Sequence, residues 1–484
     1  MNRTNLLLIT TDQQRFDTIH RGGNPCIMTP HLDWLADTGV LFRRAYSDAP
    51  ICCAARATMI TGKHYRNLGD YGNWGQPSVP DLQATLPSIL TRCGYQTRAI
   101  GKMHYHPARC NYGFEHMEIL EDYYRFMRQF PERGIPMDHG VGQNEMEPAI
   151  STVPESWSLT RWTVNRAIDF LETRDSTRPF FLNVGFAKPH PPFDPCLSYW
   201  QLYDGMQLPP PVRGDWSKDP AAIHPAFLGP TRKLSSADRL SDAVLAQAKR
   251  AYYACITQID YNLGHLFARL RELRLLDNTL IVFTSDHGEM MGDHHLSSKS
   301  VFLEGSCHVP MIMRAPQQLL PETYHGTQQD HLVSLADLMP TFLAAAGVPA
   351  AQNPPMDGAD LLASVTSQAP ARQQFIGAYE DHYCIIDGQW KYHYSHTGGA
   401  ELLFNLEQDP METRNLAASP ELRETRQRLR AALAKALAAS GKPAGADSGE
   451  LKILGETPRD RRQQNANRWP GHHSRDYTPS DVLH

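Results

Sequence analysis

Two short apolar runs that each end in an aspartate do most to limit what this chain can fold into. Leu6-Leu7-Leu8-Ile9-Thr10-Thr11 leads to Asp12, and Leu280-Ile281-Val282-Phe283-Thr284-Ser285 leads to Asp286. Neither run alternates apolar with polar, as a strand with one wetted face would, so both read as strands covered on both sides. A third run, Phe180-Phe181-Leu182-Asn183-Val184-Gly185-Phe186, is followed by Lys188-Pro189-His190. Between the last two, from about 242 to 275, Ala251, Cys255, Ile259, Leu263, Leu266 and Leu270 recur at helical spacing. Strands alternating with helices predict an α/β fold with a large, mostly parallel central sheet sandwiched by helices. Ligands in such folds gather beyond the carboxyl ends of the strands. Asp12, His190 and Asp286 each follow a strand there, so three polar groups distant in sequence are expected at one rim.

At 484 residues the chain is longer than one hydrophobic core usually serves. The reading is a large domain over 1–375, a small α+β subdomain over 376–440, and a polar tail over 441–484. Residues 384–386, 389–394 and 401–406 suggest a small antiparallel sheet with turns at Asp387-Gly388 and Gly398-Gly399, followed by a helix over about 420–439. The tail is read as disordered or as packing on a neighbour, a candidate contact for a homo-oligomer, with His472 and His473 solvated. Stretches rich in Pro and Gly at 137–154 and 208–231 read as long loops that wall a site. A formal charge of −5 is too mild to call for a nucleic-acid partner. No apolar stretch is long enough to span a bilayer. Nine cysteines without regular spacing, and an amino terminus that does not read as a signal peptide, place the chain in the cytoplasm.

Chemistry enters at Cys52-Cys53-Ala54-Ala55-Arg56-Ala57-Thr58-Met59-Ile60-Thr61-Gly62. A cysteine followed two positions on by Ala or Pro, four on by Arg, and closed by Thr-Gly resembles the signature of type I sulfatases, in the alkaline phosphatase superfamily. Counting from Cys52 puts Arg56 and Gly62 in register, whereas counting from Cys53 does not. Thr29-Pro30-His31-Leu32-Asp33-Trp34-Leu35-Ala36, Gly101-Lys102-Met103-His104, Asp286-His287-Gly288-Glu289, and Leu403-Phe404-Asn405-Leu406 with Asp409-Pro410-Met411-Glu412-Thr413 resemble further segments of that family. There is some likeness to iduronate sulfatase-like members at Asp286-His287 and to phosphonate monoester hydrolases at Asp12-Gln13.

The resemblance implies hydrolysis of a sulfate ester to an alcohol and inorganic sulfate. In that family the cysteine is oxidised to formylglycine (3-oxoalanine) by a maturation enzyme, and its hydrated aldehyde is the nucleophile. Carried onto this chain, it implies a divalent cation held by Asp12, Gln13, Asp286, His287 and the modified residue 52. Calcium is expected by family precedent, with manganese or magnesium held open because imidazole suits transition metals better. Lys102 would contact sulfate oxygens, an electrostatic task that carries much of such catalysis, and Lys299 resembles the family's last catalytic lysine. His104 would handle the proton of the aldehyde hydrate, His190 would contact the sulfate and stabilise the leaving oxygen, and Arg56 would hold the hydrated aldehyde.

The rival within the superfamily is a phosphonate monoester or phosphodiester hydrolase; Lys102 and His104 favour sulfate, since those relatives generally lack that motif. A carbohydrate sulfate is preferred over a simple aryl sulfate. Tyr123, Tyr124, Tyr199, Trp200 and Trp216 are candidates for a stacking wall, and Arg109 and His295 for substrate contacts.

Overall fold

The computed structural model describes residues 3–69, 71–72, 76–234, 240–442, 444–445 and 448–455. Among these residues twelve strands form two sheets. The large one runs β4 (His116–Ile119), β3 (Gln96–Gly101), β5 (Phe180–Pro189), β1 (Asn5–Asp12), β6 (Thr279–Ser285), β7 (His308–Arg314), β2 (Val40–Tyr46), β8 (Thr327–Ser334). Every neighbouring pair is parallel except those of β7, which runs antiparallel to β6 and β2. Strand β1 is buried along its whole length. Because side chains alternate across a strand, Leu6 and Leu8 enter one core and Leu7 and Ile9 the other. The first core is closed by the helices Cys52–Thr61, Leu86–Arg92, Leu338–Ala345 and Leu361–Ser367. The second is closed by Pro30–Asp37, Leu159–Thr173 and Asp242–Glu272. Burying each such Leu or Ile contributes roughly 1.5–3 kcal/mol, so two full faces fix the sheet and the strand ends that it presents. Among the described residues no helix is long and apolar enough to cross a membrane.

The second sheet is antiparallel in the order β12 (Ala400–Asn405), β11 (Trp390–Ser395), β10 (His382–Asp387), β9 (Gln374–Tyr379). One face packs on the helix Arg423–Ala439 through Ile385, Tyr392, Leu403, Leu429 and Leu433. The other meets the large domain through Phe375, Cys384 and Ile386 against Tyr46 and Phe302. A buried ionic cluster crosses this junction. The Lys391 ammonium on β11 lies 2.7 Å from Glu304 and 2.9 Å from Glu412, and Glu304 also takes His308 Nδ1 at 2.6 Å.

The two carboxyls titrate in opposite directions. Burial, with Glu304 adding to it against Lys391, pushes Glu412 up to about 7 from 4.5. Glu304 is pulled down to about 2 by Lys391 and His308 against its burial. From pH 4.5 to 7 the folded chain therefore keeps a proton on Glu412 that the unfolded chain releases, and this contribution to stability is lost as pH rises through that window. Glu412→Gln removes the dependence, so its melting temperature should climb relative to wild type between pH 4.5 and 7. A constant difference in thermal melts across that range would contradict the assignment.

Several expectations change at the edges. The stretch 208–231 is not all loop: a helix, Pro225–Leu234, starts inside it and buries Phe227 and Leu228. Strand β9 was not foreseen at all. The tail does not turn away at 441. Ala444 and Leu451 are buried in the small-domain core, and Leu454 N donates to His396 O at 2.9 Å. The rest of the tail, with His472 and His473, lies outside the described residues.

Candidate active site

Strands β1, β5 and β6 are adjacent and parallel, so their carboxyl ends deliver Asp12, His190 and Asp286-His287 to one edge. Strand β3, next to β5, ends at Gly101 and hands on Lys102 and His104. Cys52 opens the helix Cys52–Thr61, every residue of which is buried; Ala54, Ala55 and Ala57 are small enough to let it sit tightly against its neighbours. Gly62 closes the helix in the left-handed region at φ 64, where its N–H reaches Thr58 O. Lys299 comes from the segment that follows His295 and is 3% exposed.

Asp12 gives one oxygen to cations and turns the other inward, whereas Asp286 spends both on hydrogen bonds. Asp12 Oδ2 faces Lys102 Nζ at 2.7 Å and Arg56 Nη2 at 3.5 Å. Asp286 Oδ2 accepts from Arg56 Nε at 2.9 Å, and Arg56 Nη1 donates to Lys102 O at 2.6 Å. Asp286 Oδ1 accepts the backbone N–H groups of Gln13 and His287 at 3.1 and 2.9 Å. His287 Nδ1 meets Gly288 O at 2.9 Å, which puts a proton on Nδ1 and turns Nε2 inward. That Nε2 and Asp12 Oδ1 are buried without hydrogen-bond partners, 3.9 Å apart. Ligand atoms of Asp12, Cys52 and His287 all lie within 4.8 Å of one another. Two carboxylates, one imidazole and two orphaned inward atoms fit a divalent cation.

The field around residue 52 is positive. Burial opposes ionisation of Asp12, yet Lys102, with Lys299 behind it, holds its carboxyl far below the usual range. Burial likewise opposes the Lys102 ammonium, and Asp12 and Cys52 keep it charged. A hydrogen bond from Cys53, with Lys299 and His104 opposing burial, draws the Cys52 thiol well below its ordinary value. The same hydrogen bond and burial push Cys53 up. His104 lies with both cysteines, their ligand atoms within 4.8 Å of one another. Burial, Lys299 and Lys102 keep His190 neutral, and its Nδ1 meets Pro191 O at 2.8 Å.

A cavity of about 90 Å³ opens beside Lys102 and His190. Tyr123, Tyr124, Met137 and Gln143 line it, together with Ser151, Ser158, Thr160 and Gln258. Its remaining charges, Lys188 and Asp194, neutralise each other, and His139 Nε2 reaches Asp194 at 3.2 Å from the loop 137–154.

Other candidates sit elsewhere. Arg109 is not in the cavity lining; Asp122 takes its guanidinium with two contacts of 3.0 Å. His295 reaches Lys218 O at 3.4 Å, also outside the lining. Tyr199 bonds Glu155, Trp200 lies under Arg250, and Trp216 stacks on His294 and donates to Glu412 O, so these three are structural anchors. The loop 208–231 braces the turn at 292–295 through Val212 instead of walling the cavity. Arg56 touches the two carboxylates and the Lys102 carbonyl, a bracing position. Gln13 spends its amide on Lys299 Nζ, 2.7 Å from Oε1, and on Glu289, which the sequence reading did not single out. Glu289 was visible only as the residue closing Asp-His-Gly-Glu.

A profile of the Sulfatase family matches residues 4–348. One described as N-sulphoglucosamine sulphohydrolase, C-terminal, matches residues 292–439. The chain is 32% identical over 482 residues to an arylsulfatase of Clostridium perfringens (strain 13 / Type A), covering 94% of this chain and 98% of that protein. It is 29% identical over 495 residues to the multifunctional alkaline phosphatase superfamily protein PehA of Trinickia caryophylli, covering 87% and 92%. Among solved structures, the phosphonate monoester hydrolase of Agrobacterium radiobacter superposes with a TM-score of 0.78 at 27% identity, covering 90% of this chain and 96% of that one.

Proposed function

The chain belongs to the sulfatase family and is a sulfuric ester hydrolase, and we propose that its substrate is the sulfate ester of an uncharged ring compound, a saccharide before a simple phenol. The observation that carries this reading is the cavity. It joins Lys102 and His190 to an aromatic wall and to neutral hydroxyl and amide groups, and among the described residues of its lining each further cation has an acidic partner, so none is left for a carboxylated sugar. Tyr123 and Tyr124 suit the flat face of a ring, and Gln143, Ser151, Thr160 and Gln258 suit its hydroxyls.

Formylglycine made from Cys52 would supply the hydroxyl that attacks sulfur, and the cation, calcium before manganese or magnesium, would supply charge against the sulfate oxygens. Asp12, Asp286 and His287 would hold that cation, and Gln13 would join them through the carbonyl oxygen that Lys299 Nζ meets here. Lys102 and Lys299 would bind sulfate oxygens, His104 would take and return the proton at residue 52, and His190 would stand at the leaving oxygen. The proposal requires a formylglycine-generating maturation enzyme. The compartment proposed is the cytoplasm, in keeping with nine cysteines that lack regular spacing.

The second reading, phosphonate monoester hydrolysis, is favoured by Gln13 beside Asp12 and by the likeness to the Agrobacterium enzyme. Turnover of a sulfate monoester against the phosphonate monoester of the same alcohol separates the two, and faster phosphonate cleavage would overturn the first. Within the sulfate reading, Tyr124→Ala should raise KM on a neutral sugar sulfate by roughly 3- to 10-fold with kcat retained, the size of one lost ring contact. Arg109→Ala should leave neutral and acidic sugar sulfates equally affected. A selective loss on the acidic one would restore Arg109 to the site.

A further inference from the structure

The structure assigns to Glu289 the task of fixing the flip of the Gln13 amide, whose carbonyl end meets Lys299 and is the end proposed above to serve the cation. Glu289 is fully buried and both its oxygens are committed. Oε1 accepts the backbone N–H groups of Met291, at 2.9 Å, and of Ser298. Oε2 accepts Gln13 Nε2. An ionised carboxylate only accepts hydrogen bonds, so the end of the amide set against it must be the NH2 group. The carbonyl end is thereby turned toward Lys299 Nζ, 2.7 Å away. The opposite flip would set carbonyl oxygen against carboxylate and NH2 against ammonium, two repulsive contacts in a buried site.

The consequence reaches the cation. Gln13 follows Asp12, whose Oδ1 faces the open centre, and its own N–H is tied to Asp286. It sits in the left-handed region at φ 72, a conformation that its neighbours must hold in place. Ser298, also left-handed at φ 65, precedes Lys299 and is gripped by the same carboxylate. One buried side chain thus sets both the amide oxygen and the lysine that faces it. Glu289 is a positioning residue, and this inference rests on the divalent-cation reading given above.

Glu289→Gln isolates the role. The amide oxygen of the new side chain still accepts from Met291 and Ser298, so the turn is kept. Its NH2 now meets Gln13 and rewards the wrong flip. Calcium and manganese affinity, measured by calorimetric titration, should fall roughly 10- to 100-fold, the usual cost of losing a partner that orients a ligand. The reciprocal exchange, Gln13→Glu with Glu289→Gln, restores a self-consistent pair: the NH2 of residue 289 donates to the carboxylate of residue 13, whose other oxygen faces Lys299. Affinity in this double variant should return close to wild type. Glu289→Gln binding as tightly as wild type, or a double variant no better than the single one, would overturn the inference. Wild type that binds neither ion would instead overturn the cation reading itself. Far-ultraviolet dichroism of the cation-free variants separates lost orientation from lost fold.

Discussion

Replacing Cys52 with alanine is expected to lower kcat on a sulfate monoester by roughly 10⁴- to 10⁶-fold, the scale seen when a covalent nucleophile is deleted. Cys53→Ala should stay close to wild type. The two thiols are neighbours in one buried helical turn, so composition and burial do not separate them. Their surroundings do. Cys52 lies with Asp12 and His287, the residues proposed to hold the cation, whereas the bond to Cys52 and burial push the Cys53 thiol up. The alanine at 52 removes a small side chain at the first turn of a helix already rich in alanine, so the fold should survive and the loss should fall on kcat. Steady-state kinetics on both variants, beside their melting temperatures, checks this. Equal losses in the two would mean that the pair acts structurally.

Lys102→Ala is expected to act on catalysis and on stability together, and the bound ion should tell the two apart. Lys102 is the nearest cation to the buried Asp12 carboxylate, at 2.7 Å, with Arg56 at 3.5 Å. Removing one partner of such a buried pair leaves a charge uncompensated and costs about 3–5 kcal/mol. In the cation-free protein that cost should appear as a large drop in melting temperature. Saturating calcium gives Asp12 a new counter-charge, so much of the drop should be recovered by mass action. Turnover should not recover if Lys102 binds the sulfate as proposed; a fall of about 10²–10³ in kcat is expected for one such group. A melting temperature equal to wild type without calcium would show that Lys102 does not compensate Asp12.

The sheet was legible in the sequence because β1, β5 and β6 are covered on both faces and therefore spell continuous apolar runs. The same runs located the site, since their ends name Asp12, His190 and Asp286. Strand β9 was hidden by Gly377 in its middle, a residue that lowers strand signal. The structure gives its reason: a Cβ there would lie 2.2 Å from the Phe302 ring. The helix Pro225–Leu234 was hidden by its own Pro and Gly. Arg109 looked like a substrate contact by its nearness in sequence to Lys102, but Asp122, thirteen residues on, takes it. Glu289 and Gln13 are separated by 276 positions, and nothing local in either segment announces that they meet. Pairings of that kind come from sheet topology, which brings β1 and β6 side by side. Sequence spacing records the residues that a strand end delivers, and leaves out the partners that other segments bring to them.

The central claim is that residue 52 is the converted nucleophile of a sulfatase. Its most direct test is the mass of the tryptic peptide over residues 45–56, taken from protein co-expressed with a formylglycine-generating enzyme and assayed for sulfate monoester turnover. The account predicts a peptide that has lost sulfur and two hydrogens and gained one oxygen, with fragment ions placing the change at residue 52, an intact thiol at residue 53, and activity proportional to the converted fraction. Full turnover from protein whose residue 52 remains a thiol would contradict it.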